Sequence, residues 1–354
     1  MKILIDIGHP AHVHLFKYFA LEMQAKGHKI LFTSREKENE IYLLKKYGFS
    51  YKCFGKHYKS TSGKIFGLIK FNLQMLFFSL KFKPDIYLSH GSVYAAMVSW
   101  LVRKPHISLE DTGNIEQVRL YLTFTEVVLT SDVFNFDYGE KQIRYSSHHE
   151  LAYLHSNYFK PNLEFRFHRN KKKSKVTLLR FVSWNATHDS GQKGLSLETK
   201  YKLIRLLEEE YEVIISAESK LPEDLEKYKV RFVPEDIHTA LYKADLFIGE
   251  GTTMAMEAAI LGTPAVYINS LQYPNVQDMA IYGLLFPFKN DEDIISEIQA
   301  LIATPDLKKS ILSKKNKMLA GKIDLTAFLI WFVENYPESF SIMKENPDYQ
   351  YNFK

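Results

Sequence analysis

Short apolar runs of strand length alternate with helix-length amphipathic segments from the first residue onward. That alternation restricts the chain to parallel sheets with crossover helices. The series begins KILIDIG, a helix from about Val13 to Lys26, KILFTS, ENEIYLLKKYG and YKCF. It continues through an apolar helix near residues 62 to 80, then PDIYLSHG, VYAAMVSWLVRK and PHISLED. Each strand-like run closes on a polar or glycine-bearing turn, and functional groups in such sheets collect at the carboxyl ends of the strands.

Between Arg166 and Lys175 the segment RFHRNKKKSK carries six Lys or Arg and little to bury, so it reads as an exposed linker. A second series follows it: KVTLLRFVS, a helix over 197–209, YEVIIS, KVRFV, a helix over 235–243, ADLFIG, another helix, PAVYI and a helix from about Asn290. A length of 354 residues suits two hydrophobic cores. The expected organisation is α/β: an N-terminal Rossmann-like domain over 1–165, the basic linker over 166–175, a C-terminal Rossmann-like domain over 176–322, and a helix with a polar tail over 323–354.

With 46% hydrophobic and 25% charged residues the chain can bury a core and need not be disordered. A lone cysteine, Cys53, excludes an internal disulfide and a cysteine-based zinc site, which fits a cytoplasmic setting. The opening residues are too short an apolar run for a signal-peptide core. The apolar window Ile65 to Phe82 contains Lys70, Asn72 and Gln74, costly at a bilayer centre, so it is not expected to span a membrane. Seven lysines and no acidic residue lie between Lys52 and Pro84. Residues 52–83 are therefore a candidate peripheral contact with the inner face of an anionic membrane, against the plainer reading of a packed helix with solvated lysines. A net charge of +5 without aromatic residues interleaved among the basic ones argues against a nucleic-acid binder.

IGEGTTMAMEAAILGTPAVYI, residues 248 to 268, runs from an apolar strand through Gly251 into a small-residue helix. The first amides of a helix have no partner within it and favour an anion. Gly251 removes the side chain where a phosphate would approach, and Thr252 and Thr253 add hydroxyls. Glu257 lies one turn along, roughly 6 Å from Thr253, placed to accept hydrogen bonds from two ribose hydroxyls. On its own a Gly-Thr-Thr turn is equally an ordinary helix cap.

The stretch GEGTTMAMEAAILGTPAVYIN resembles the nucleotide-sugar signature of GT-B glycosyltransferases, among them the enzyme that adds N-acetylglucosamine to the peptidoglycan lipid precursor. The resemblance implies a GT-B fold, two Rossmann-like domains facing a central cleft. It also implies that Gly251, Thr252 and Thr253 hold the donor diphosphate and Glu257 the ribose. IDIGHPAHVHLF, RFVSWNATHDSGQKGLS, ELAYLH and GEGTTMAMEAAILGTPA together resemble a prokaryotic family of unknown function expected to share this fold. That likeness spans most of residues 1 to 325 and carries no substrate.

His9, His12 and His14 follow the first strand. Their spacing matches no familiar metal site, and no metal is expected. Similar GT-B transferases have a glycine fifteen residues after the first-loop histidine, as Gly27 follows His12 here, so the resemblance selects His12 as the base that takes the acceptor proton, with His14 second. Ala11 and Leu15 depart from that pattern, which leaves His12 also readable as a cap or an acceptor-orienting residue. His90 and the pair Glu110-Asp111 end two further strands, where they could border the acceptor or, in the case of Asp111, act in catalysis. Arg180, or His188, Asp189 and Lys193 in the following loop, could neutralise the leaving diphosphate. Gln272 and Tyr273 resemble the donor-sugar contact region.

The expected activity is metal-independent transfer of a sugar, with inversion, from a UDP-type donor to a saccharide or lipid-linked acceptor in polysaccharide or glycolipid synthesis. No cofactor is expected beyond the donor. The alternatives are a non-hydrolysing UDP-sugar 2-epimerase, whose usual Arg-Pro-Glu-type first loop is here His9-Pro10-Ala11-His12, and the basic nucleic-acid binder.

Overall fold

The computed structural model describes residues 1–58, 60–167, 173–182, 194–290 and 293–354. The chain forms two compact units, residues 1–158 with 322–354, and residues 159–321. The first unit contains β1 (Lys2–Asp6), α1 (Pro10–Ala25), β2 (Lys29–Glu36), α2 (Glu40–Lys46), β3 (Tyr51–Lys56), α3 (Thr61–Phe82) and β4 (Ile86–His90). It continues with α4 (Val93–Leu101), β5 (His106–Glu110), α5 (Ile115–Tyr121), β6 (Val127–Ser131), β7 (Gln142–Tyr145) and α6 (Leu151–Leu154). Its seven strands, all parallel, are ordered β3-β2-β1-β4-β5-β6-β7. The order reverses between β1 and β4, and the crevice outside those strand ends is where doubly wound sheets bind ligands.

The second unit contains β8 (Lys175–Phe181), α7 (Leu197–Glu208), β9 (Tyr211–Ala217), α8 (Ile237–Lys243), β10 (Leu246–Gly249) and α9 (Thr252–Leu261). It ends with β11 (Ala265–Ile268), α10 (Pro274–Ile281), β12 (Leu285–Phe288), α11 (Ile294–Ile302) and α12 (Leu307–Gly321). Its five parallel strands are ordered β12-β11-β10-β8-β9, which places the reversal between β8 and β10. Both units are of the α/β type, with helices between parallel strands. β10 and β11 are buried along their whole length, as the near-continuous apolar runs of a covered parallel sheet require. The expected strand KVRFV is not one; its pairing is a single bridge between Lys229 and Ile215.

The last segment, α13 (Leu325–Glu334) and α14 (Glu338–Glu345) followed by a 3-10 turn, belongs to the first unit. Gln350 Oε1 accepts from Ser146 N at 2.6 Å, Ile323 N donates to Ser146 O at 2.8 Å, and Trp331 stacks on Tyr349 at 4.8 Å. Residues 159–165 go with the second unit instead. Asn162 N donates to Thr239 Oγ1 at 3.1 Å, and the Lys243 ammonium donates to the carbonyls of Leu163 and Phe165.

α3 is amphipathic in an unusual sense. Phe71 and Met75 pack into a core with Tyr87, Ala95 and Val98, while Ile65, Phe66, Ile69, Leu73, Phe77 and Leu80 form an exposed stripe, Leu73 and Phe77 each being 62% exposed. Residues 62–82 are long and apolar enough, by length and composition, to cross a membrane.

Candidate functional site

In the first unit the reversal point is fixed by a buried ion pair. Arg35 Nη1 donates to both Asp6 oxygens at 2.6 and 2.8 Å, and Thr33 and Ser92 hydroxyls donate to the same carboxylate at 2.6 and 2.5 Å. Every Asp6 oxygen is thereby satisfied, the condition for a buried charge to be tolerated. This pins the ends of β1 and β2 to the start of α4. His9 caps α1, its Nδ1 accepting from Ala11 N at 3.2 Å, with Pro10 following it.

Beside this lies a cluster of imidazoles around one carboxylate. His90 Nε2 meets Asp111 Oδ1 at 2.9 Å, and His149 Nδ1 meets Asp111 Oδ2 at 3.1 Å. The His12 ring stacks on His90 with centroids 4.5 Å apart, and His90 meets His149 edge-on at 5.2 Å. Gly91, at φ +60°, makes the turn after His90; a Cβ there would press to 3.3 Å from Gln117 Nε2. Burial disfavours charge on His90, but the Asp111 carboxylate and its hydrogen bond prevail and raise it to about 9. Burial likewise opposes ionisation of Asp111, and His149 with His90 outweighs it, holding the carboxyl well below its usual range. His12 is pushed well below the ordinary imidazole value by burial first, then by the neighbouring His90 and His9 charges. The result is a neutral ring stacked on a cationic one. His12 Nδ1 accepts from Gly8 N at 3.3 Å, a long contact that occupies one lone pair of the ring.

Two expected members of this site stand elsewhere. His14 is buried with its ring 5.5 Å from Tyr153 and 6.2 Å from Tyr47, because two residues of helix turn it about 200° from His12. Glu110 is a turn clamp: Oε1 accepts from Thr112 N, Thr112 Oγ1 and Gly113 N, and Oε2 from Tyr121 OH at 2.7 Å. Its oxygens are committed to the chain. His149 is the member that sequence reasoning passed over. It follows β7, whose short run QIRY lacks the apolar pattern that marks the other strands.

In the second unit α9 starts at the reversal point. Its cap residue Gly251 has extended backbone and no side-chain hydrogen bond, and a Cβ there would reach only ordinary contact with Val182 at 3.4 Å. Thr252 Oγ1 lies 2.9 Å from Tyr267 OH, and Thr253 is exposed. Glu257 is buried one turn on, with Oε1 3.0 Å from His238 Nε2, a partner on α8 that the sequence did not point to. Glu250, fully buried, accepts from Val182 N at 2.9 Å and Leu195 N at 2.7 Å, so a carboxylate ties the chain after β8 to the approach to α7. An amide-ended helix with room at its cap and a carboxylate one turn inside can hold an anion and a diol.

Arg180 is held by its strand as expected but is not a spare cation. Its guanidinium ion-pairs with Glu218 and donates to Ser216 Oγ at 3.0 Å, since the strand pairing sets Arg180 beside Ser216 on β9. Gln272 folds back, its Nε2 donating to Asn269 O at 2.8 Å and its Oε1 accepting from Gln277 at 2.7 Å. His188, Asp189 and Lys193 lie outside the described residues.

A family profile described as "Protein of unknown function (DUF354)" matches residues 1–333. An uncharacterised protein of Methanocaldococcus jannaschii is 23% identical over 278 residues, which is 75% of this chain and 81% of that one. Among solved structures, a Listeria monocytogenes protein named for UDP-N-acetylglucosamine 2-epimerase superposes with a TM-score of 0.65 at 12% identity, covering 90% of this chain and 95% of that one. The glycosyltransferase SsfS6 of Streptomyces sp. SF2575 gives 0.59 at 12% identity over 95% and 100%. The glycosyltransferase VinC in complex with dTDP gives 0.61 at 12% identity over 94% and 99%. At such identities the likeness shows the fold alone, the α/β architecture of the GT-B class.

Proposed function

The chain belongs to the family of that profile, "Protein of unknown function (DUF354)", and from this premise we propose that it is a GT-B-type glycosyltransferase. It moves a sugar from a nucleoside diphosphate, with UDP as the first choice, to an acceptor hydroxyl, with inversion. The observation that carries the reading is Glu257, a buried carboxylate held by His238 one turn inside the amide end of α9, whose cap bears no side chain. In this reading the amides after Gly251, with Thr252 and Thr253, bind the diphosphate, and Glu257 accepts from the ribose hydroxyls.

The acceptor half of the chemistry belongs to the first unit. The acceptor oxygen forms the new bond to the anomeric carbon as the bond to the diphosphate breaks. Its proton passes to neutral His12, once Nδ1 gives up the long Gly8 contact. Asp111 balances the charge on His90, which keeps a cation stacked against His12 and the latter neutral. The helix end replaces a metal at the leaving diphosphate, so no cofactor is needed for that step.

Calorimetry with UDP, dTDP and GDP tests the donor site: UDP or dTDP should bind, and Glu257→Ala should weaken it. If none of the three binds the wild type, the assignment fails. Incubation with UDP-sugars separates transfer from 2-epimerisation, because an epimerase converts the donor without any acceptor.

The acceptor is lipid-linked in this proposal. The exposed stripe of α3 sits within a stretch whose charges are all lysine, as a helix lying in an anionic lipid interface requires. The protein would then work on the inner face of the cell membrane in polysaccharide or glycolipid synthesis. Flotation with anionic liposomes at low salt should carry the protein upward; protein left at the bottom of the gradient points to a soluble acceptor.

A further inference from the structure

We propose that His90, Asp111 and His149 form a binding site for a divalent transition-metal ion of the zinc, cobalt or manganese kind. Each offers one ligand atom, and the three atoms lie within 4.8 Å of one another. Two nitrogens and one carboxylate oxygen are a donor set suited to these ions rather than to magnesium or calcium. Metal–ligand bonds of about 2.1 Å put neighbouring ligand atoms about 3 to 3.4 Å apart. His90 Nε2 lies 2.9 Å from Asp111 Oδ1 and His149 Nδ1 lies 3.1 Å from Asp111 Oδ2, near that range but on different oxygens of the carboxylate. Binding through one oxygen needs the Asp111 carboxylate to turn as the two imidazoles draw together within the 4.8 Å that now contains the three ligand atoms.

A second observation concerns the same ring. His149 is 8% exposed, and its Nε2, the nitrogen turned away from Asp111, is a buried atom with no hydrogen-bond partner among the described residues. Tyr145, stacked on His149 at 6.2 Å, has a buried hydroxyl that likewise lacks one. Buried polar atoms without partners are uncommon, and the one on His149 leaves that ring a nitrogen not committed to the described chain, so that a turn of the ring offers either nitrogen as ligand. His90 ends β4, Asp111 directly follows β5, and His149 lies four residues beyond β7 at the approach to α6, so two of the three ligands sit on strand ends of the kind that position metal ligands. An ion held by three protein ligands keeps a coordination position for water or a substrate oxygen. Metal ligation takes a ring nitrogen without its proton, so an incoming ion displaces the proton that His90 shares with Asp111, which leaves to solvent, and the Nδ1 proton of His149 passes to Nε2.

This inference concerns the first unit alone and does not rest on sugar transfer. The full chain, stripped with chelator, is titrated with Zn2+ and with Co2+ by calorimetry, and Co2+ binding is followed in the visible spectrum. One equivalent should bind to the wild type and to His57→Ala, a surface control. Asp111→Asn and His149→Gln should weaken binding by at least about 100-fold and abolish the cobalt bands. Should His149→Gln fail to fold, Asp111→Asn, which keeps the shape of the carboxylate, decides alone. Absence of stoichiometric binding by the wild type, or equal affinity in Asp111→Asn, overturns the site and leaves the cluster a proton relay. UDP affinity measured on the same stripped protein reads the donor site separately, so either proposal can fail without the other.

Discussion

In the first unit the strand ends meet at imidazoles, with His12, His90 and His149 around Asp111. In the second they meet at carboxylates, Glu250 and Glu257, each buried and each bonded, beside the amide end of α9, whose cap residue makes no side-chain hydrogen bond. Both units are doubly wound parallel sheets, and His12 and His90 in the first, like Glu250 and the start of α9 in the second, stand at the point where strand order reverses. The architecture therefore selects the location, and the residues at the strand ends select the chemistry. Imidazoles can move protons or bind metal; helix amides beside a bonded carboxylate can hold a phosphate and a sugar.

The sharpest way to break that division is His12→Ala. It should lower kcat by about 10²- to 10⁴-fold, the range for loss of a general base, with UDP affinity within about twofold of wild type. A variant with full turnover would remove proton chemistry from the first unit. Nearly as large is the expected loss from Asp6→Ala, which strands the buried Arg35 charge: about 3–5 kcal/mol by urea unfolding. A loss under about 1 kcal/mol would mean that this pair does not hold the reversal point together.

Glu257→Ala should weaken UDP binding by roughly 10- to 100-fold, the worth of hydrogen bonds to a charged group. Asp111→Asn should leave the same affinity unchanged. Equal effects from both would erase the contrast between the units.

His106 sharpens the comparison from another side, since it is an imidazole of the first unit kept out of the cluster. Burial holds it down at about 3, bonded to Ser89 Oγ at 2.9 Å and Thr125 Oγ1 at 2.8 Å. An unfolded imidazole titrates near 6.5, so between those values the unfolded chain binds the extra proton. Its contribution is complete above about pH 6.5 and is lost as pH falls toward 3, by about 2 kcal/mol between pH 6.5 and 5. Urea unfolding across that window should show a shallower fall in His106→Asn than in wild type.

The smallest expected stability change is Phe77→Asp on the exposed face of α3, within about 0.5 kcal/mol. Liposome retention should nonetheless disappear; if it persists, α3 is not the contact.

Much of the geometry of the proposed donor site was legible in the sequence. A glycine between an apolar strand and a small-residue helix fixes an uncapped amide end, and a one-turn offset fixes Glu257 on the same helix, so local geometry suffices. Arg180 was legible only as a position: its strand is predictable, but its pairing with Glu218 depends on which strand lies alongside. Glu110 and Asp111 show the same limit, since adjacent residues at a strand end point to opposite sides. One closes a turn with Thr112 and Tyr121, and the other faces the imidazoles. His149 was beyond reach because its strand carries little hydrophobic signal and its partners come from distant parts of the chain.

By itself the sequence determined the periodic elements, the parallel sheets they must build and the chemical character of each strand end, because these follow from spacing within a few residues. Only the tertiary structure decided which strand ends are neighbours. The order β1-β4-β5-β6-β7 gathers His12, His90, Asp111 and His149, and packing sends His14 away. The reason is that side-chain direction is a local property, whereas the partner that satisfies a buried charge is set by strand order and burial, which no short stretch of sequence contains.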